Sequence, residues 1–259
     1  MRLLVSVAGP ADVAAALDGG ADVIDAKDPT RGALGAVSLD VFREIVAAVN
    51  GRRPVTAALG DAADEISVER AAREFRAAGA SLVKIGFAGV ADPARAVTLA
   101  RAAVRGAGAS CGVVVVAYAD AAPGQSLDRA RLIDVAREAG ARGVLVDTAD
   151  KRGPGLLELV EPDVLGRWVR EARDAGLVVA LAGRLRADDL PVVRDAGADV
   201  AGVRGAACAG GRAGRVDADR VRRLKGLCEA RSAIAVGVDG GFDQPRMLGR
   251  HDGVADAGR

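Results

Sequence analysis

Four lysines, Lys27, Lys84, Lys151 and Lys225, stand among the 36 Lys+Arg of this 259-residue chain, which leaves 32 arginines. Arginine therefore serves wherever a plain positive charge suffices. A guanidinium stays protonated and cannot replace an amine as nucleophile or titratable base. Three of the four lysines follow short apolar runs: Lys27 closes DVIDAK, Lys84 sits in SLVKIG, and Lys151 follows GVLVDTAD. Amines kept at matching places point to carbonyl chemistry, in which a lysine freed of its proton attacks an aldehyde or ketone.

Carboxylates accompany them. Asp25 lies two residues before Lys27, so both point to one side of an extended strand. Asp147 ends the run before Lys151, and Asp120 ends GVVVVAYAD. Apolar walls and neighbouring cations lower a lysine pKa, while a second amine and a carboxylate can carry protons. The competing reading is structural, with strand-end lysines paired to Asp25 and Asp147. Lys225, in RVRRLKGLCEA, reads as a solvated helix residue.

The elements that must position these groups recur. GGADVIDAKD, AGASLVKIGF, AGARGVLVDT and AGADVAGVRG place their first shared alanines at Ala21, Ala80, Ala141 and Ala198, with gaps of 59, 61 and 57 residues. Each gap is about two strand-plus-helix units. Four more apolar runs lie at 2–7, 54–60, 112–120 and 177–183, giving eight strand candidates. Their continuous apolar character suits a parallel sheet buried on both faces. Helical spacing follows over 39–49, 68–77, 93–104, 127–139, 164–175, 187–196 and 219–230, with Ser38 and Ser126 as start signals. Eight such units predict a single (β/α)8 TIM barrel of class α/β over 1–230, with an open doubly wound sheet as the alternative. Residues 231–259, rich in Gly and Asp, read as a mobile tail.

Composition narrows the function further. Apolar residues are 50% of the chain and aromatics 2%, so the core is built from Ala, Val, Leu and Ile. The formal charge is +1 with both signs interspersed, which argues against nucleic acid or an anionic membrane as partner. Any anion site must be local. Cys111, Cys208 and Cys228 form no CxxC pair, so neither a disulfide framework nor a zinc site is expected, and the chain reads as cytoplasmic. Cys208 reads as a small buried filler. His251, the only histidine, lies in the tail, which removes Ser-His-Asp and Cys-His mechanisms. No metal and no cofactor is expected. Homo-oligomerisation is left open.

Loops after strands 7 and 8 commonly hold a phosphate in such barrels. Here they read LAGRLRADD and VRGAACAGGRAGRV, with Gly183, Gly205, Gly210 and Gly211 allowing close backbone approach. Arg204 and Arg215 are the guanidiniums expected to add charge. The loop DPTRGALGA, next to Lys27, reads either as a cover for the substrate or as a plain connection.

In order, VIDAKDPTRGALGA, LVKIG, AYADA, LVDTADK, LAG and VRGAAC…GGRAGRV resemble the (5-formylfuran-3-yl)methyl phosphate synthase family, over roughly residues 1–228. The resemblance implies a lyase joining two glyceraldehyde 3-phosphate molecules, with loss of phosphate and water, toward methanofuran-type C1 cofactors. It places the Schiff-base lysine on Lys27 with Asp25 beside it, a proton-carrying lysine on Lys84, and the strand-6 acid and loop lysine on Asp147 and Lys151. It implies a small-molecule triose phosphate as partner. Two positions depart from the family pattern: Arg184 where a small hydroxyl residue is usual, and Ala33 in place of Ser. Rival readings from the residues alone are a class I aldolase or isomerase acting on triose phosphates, and a non-catalytic barrel that binds a phosphate ligand.

Overall fold

The computed structural model describes residues 1–230; the expected tail over 231–259, with His251, lies outside them. Eight short apolar runs form parallel strands: β1 (Arg2–Val7), β2 (Val23–Ala26), β3 (Val55–Asp61), β4 (Leu82–Gly86), β5 (Gly112–Tyr118), β6 (Gly143–Asp147), β7 (Val178–Leu181) and β8 (Val200–Val203). They pair in sequence order and close, β1 against β8, with Arg2 opposite Val200 and Val5 opposite Val203. The TIM barrel expected from eight repeats is the fold.

Helices cover the outside: α1 (Val13–Asp18), α2 (Leu39–Val49), α3 (Glu65–Ala77), α4 (Pro93–Ala107), α5 (Arg129–Ala139), α6 (Leu156–Leu159), α7 (Pro162–Asp174), α8 (Asp189–Asp195) and α9 (Ala218–Glu229). Side-chain caps set several starts, since an extended residue whose oxygen accepts an early N–H satisfies a donor the helix cannot. Ser38 accepts from Val41, Asp64 from Ser67, Asp92 from Ala94 and Arg95, and Asp217 from Arg220. Ser126 is not such a cap. Helix α5 starts later than the sequence pattern suggests because Asp128 accepts from Ala130 N, and Ser126 instead bridges Ala88. Two short helices carried too little periodicity to be singled out: six-residue α1 and four-residue α6.

The strands alternate between two cores. Outward positions such as Val5, Ile24, Ala57, Val83, Val115, Val146, Leu181 and Ala201 pack against the helices. Inward positions form a separate cluster of Ala58, Val114, Val116, Tyr118 and Leu145, capped by Ala33 and Leu34 from the loop after β2. Inward residues on β7 and β8 are small, Ala180 and Gly202, followed by Ala182, so that side of the barrel is hollow. At the opposite end the chain is sewn shut: Lys225 on α9 holds Asp22 at 2.7 Å, and the Met1 amino group reaches Cys228 O at 3.5 Å. Lys225 is thus a structural clasp rather than a solvated residue. All three cysteines are buried thiols; burial pushes Cys208 up, which suits a filler.

Candidate active site

The inward face turns polar toward the carboxyl ends of the strands. The register sets Ser6 beside Asp25 and Asp25 beside Thr56, so these three share one level of the barrel. Asp25 is buried at 1% exposure and saturated with donors: Ser6 Oγ at 2.9 Å, Thr56 Oγ1 at 2.7 Å and Lys84 Nζ at 2.5 Å. Across the mouth, Asp147 Oδ1 accepts from Thr148 N at 2.8 Å and from Lys151 Nζ at 2.5 Å. Lys27 Nζ stands 3.6 Å from Asp147 Oδ2. Lys27, Lys84 and Lys151 thus meet in one cavity, with Asp25 and Asp147 between them. Although Asp25 and Lys27 share a face of the strand, the carboxylate paired with Lys27 is Asp147, reached across the barrel.

Their electrostatics separate the amines. Burial pushes the Lys27 ammonium down to about 8; Lys151 and Lys84 add to the effect, and the Asp147 and Asp25 charges oppose it. Burial works against the Asp147 anion too, but the Lys151 and Lys27 charges, the Lys151 hydrogen bond and the Thr148 N–H outweigh it and hold Asp147 at about 2. Lys84 and Lys151 sit in 2.5 Å contacts, whereas Lys27 is beyond hydrogen-bond distance. Of the three cavity lysines, Lys27 is the one without a hydrogen bond to a carboxylate.

The cavity holds about 630 Å³ and is lined by three lysines and seven arginines against two carboxylates. In a chain of net charge +1 this is a local excess of positive charge. Gly183 and Gly205 both line it, and Gly183 has φ +108, a conformation L side chains rarely adopt. Arg184 also lines it and takes φ 55, uncommon for a residue with a side chain. Of the two guanidiniums expected at the phosphate, Arg204 reaches the lining but is buried in an ion pair with Asp12. Arg215 is exposed, pairs through its backbone with Ala209, and is absent from the lining. Ser6, Thr56 and Arg212 are lining residues that sequence reasoning did not single out. The first two were legible as hydroxyls inside otherwise apolar strands.

Asp120 does not line the cavity. Its two oxygens accept from Ala149 N at 2.6 Å and Asp150 N at 2.7 Å, fixing the loop that carries Lys151. Asp120→Ala is expected to free that loop: amide exchange across 148–155 should quicken and turnover should fall by roughly 10²-fold, as a small misplacement of a reacting group does. Unchanged exchange by mass spectrometry would remove Asp120 from this role.

Among the described residues no group of three or more His, Cys, Asp or Glu could hold a metal ion, and no helix is long and apolar enough to cross a membrane. The sequence model of 4-HFC-P synthase matches residues 3–225. The chain belongs to the (5-formylfuran-3-yl)methyl phosphate synthase family. The (5-formylfuran-3-yl)methyl phosphate synthase of Methanopyrus kandleri is 41% identical over 229 residues, 86% of this chain and 97% of that protein. The synthase of Methanosarcina barkeri is 34% identical over 234 residues, 89% of this chain and all of that one. Among solved structures, 3-hexulose-6-phosphate synthase from Salmonella typhimurium superposes with a TM-score of 0.61 over 88% of this chain and 98% of that one. Its identity is 19%, so that likeness speaks for the barrel alone.

Proposed function

We propose that this chain is a cofactor-free lyase that condenses two molecules of glyceraldehyde 3-phosphate into (5-formylfuran-3-yl)methyl phosphate, toward a methanofuran-type cofactor. The observation that carries the reading is Lys27: a buried amine with a lowered pKa, open to the cavity and flanked by two further amines. Relatives named as synthases of this furan ester support the choice of product.

In this reading the Lys27 amine adds to the carbonyl of one triose phosphate, and loss of water gives the imine. Lys84 passes a proton to Asp25 and, as the neutral amine, takes the proton from the neighbouring carbon, which generates the enamine. That carbon joins the second triose phosphate. Loss of one phosphate and, overall, two molecules of water closes the furan, and hydrolysis returns the amine. Lys151 and Asp147 steer the proton transfers beside Lys27, and Asp120 keeps their loop in place. Gly183 and Gly205 let backbone N–H groups approach the surviving phosphate.

The test is incubation with glyceraldehyde 3-phosphate alone, followed by ultraviolet spectra and product mass. A furan chromophore with one equivalent of inorganic phosphate released per product is expected. A six-carbon sugar phosphate would make the chain an aldolase, and binding without any product would make it a ligand-binding barrel.

A further inference from the structure

The segment after β8 contains a buried ion pair with no part in the chemistry above. Arg204 Nη1 donates to Asp12 Oδ2 at 2.9 Å and to Ser6 O at 2.9 Å. Its Nε donates to Arg212 O at 3.1 Å and its Nη2 to Gly214 O at 3.0 Å. Asp12 in turn accepts from Ala8 N at 3.1 Å and Val216 N at 3.3 Å. Burial works against the Asp12 anion, yet Arg204 and these N–H groups hold it below the usual carboxylate range. The network therefore grips the backbone at residue 212 and just beyond it, at Gly214 and Val216. It leaves Arg204 with its donors committed and little to offer a ligand.

Arg212 emerges from that brace into the cavity that holds Lys27, Lys151 and Asp147. Its Nη2 donates to Gly32 O at 3.0 Å, in the loop that carries Leu34 over the barrel. Among the described residues no carboxylate lies within ion-pair distance of it. Burial pushes its guanidinium down, with Asp147 the charge that opposes this. A half-buried guanidinium has five N–H donors in a fixed fork, matched to the oxygens of a phosphate. Among the other loop arginines, Arg215 is outside the cavity and Arg186 is paired with Glu158 at 3.1 Å. Arg184 lines the cavity but is exposed, without the second loop contact that Arg212 makes at Gly32 O.

We propose that Arg212 is the side chain that binds the phosphate of the substrate, and that Asp12 and Arg204 are positioning residues that present it. The ligand class is a phosphate monoester on a short carbon chain, which rests on the reading of phosphorylated substrates given above. Because the same guanidinium touches Gly32 O, an anion that engages Arg212 also engages the loop over the mouth. Phosphate then acts as the handle that distinguishes triose phosphate from an unphosphorylated aldehyde.

The test compares wild type with Arg212→Gln, Arg212→Lys and Arg215→Gln. One measurement is calorimetric affinity for inorganic phosphate. The other is the rate of borohydride-trapped adduct with glyceraldehyde 3-phosphate relative to glyceraldehyde. Loss of a charge-assisted fork predicts phosphate affinity weaker by about 10-fold or more in Arg212→Gln, with partial recovery in Arg212→Lys. The preference for the phosphorylated aldehyde should shrink by a similar factor, and Arg215→Gln should keep its phosphate affinity. Wild-type phosphate affinity in Arg212→Gln overturns the proposal. So does a loss confined to Arg215→Gln, or an equal slowing with both aldehydes, which would mark a merely structural role. If wild type forms no adduct with either aldehyde, the imine reading fails, while calorimetry still decides Arg212.

Discussion

Lys27→Arg is expected to fold and to be inactive. The guanidinium keeps a positive charge beside Asp147, so the buried pair survives, but it cannot form an imine. Turnover should fall on the order of 10³-fold or more, the scale seen when a covalent nucleophile is removed. Borohydride treatment in the presence of glyceraldehyde 3-phosphate, then peptide mass mapping, should find the adduct on Lys27 in wild type and nowhere in the variant. The pH dependence follows from the same amine. With Lys27 at about 8, roughly a tenth of it is neutral at pH 7, against less than about a thousandth for an ordinary lysine. Trapping should therefore rise about tenfold per pH unit below that value and level off above it. An adduct on Lys225, or full activity in Lys27→Arg, would refute the mechanism.

Asp147→Asn should produce the largest loss of stability. One carboxylate, 2% exposed, faces both Lys27 and Lys151. Removing one partner of a buried ionic cluster leaves uncompensated charge and costs about 3–5 kcal/mol. Urea unfolding at pH 7 should register that loss. The penalty should ease with rising pH, because Lys27 sheds its proton. The Asp147 charge raises the Lys27 pKa, so its removal should also move the acid limb of imine formation below about 8. In wild type Asp147 is depressed to about 2 from 3.8; its contribution is fully present above the unfolded value and is lost as pH falls toward the folded one. A urea midpoint that does not change in the variant would contradict this account.

The barrel was legible because its signal is repetitive: a Gly-Ala phrase before alternate strands, and continuous apolar runs that only a doubly buried sheet accommodates. The lysines could be located because each follows such a run, and strand direction then carries them toward one end. Their pairing could not be read. Asp25 is two residues from Lys27 yet serves Lys84, because barrel closure brings β2 and β4 side chains to one level and sets Asp147 opposite Lys27. The arginines were harder still. Arg204 and Arg212 stand in one loop, and only the fold of that loop decides which is buried on Asp12 and which enters the cavity. Ser126 against Asp128 repeats the lesson locally, since two capping residues two positions apart compete and backbone geometry chooses.

The seam between β1 and β8 joins the two ends of the described chain, as do the Lys225–Asp22 contact and the Met1–Cys228 contact. While the chain leaves the ribosome, β1 has no partner on that flank until β8 (Val200–Val203) has been translated. Its bare backbone edge is a nascent-chain hazard that pairing with β2, on the opposite flank, leaves uncovered. The late seam also delays the cavity: its three lysines, from the ends of β2, β4 and the loop after β6, have no enclosed chamber until β8 has closed on β1.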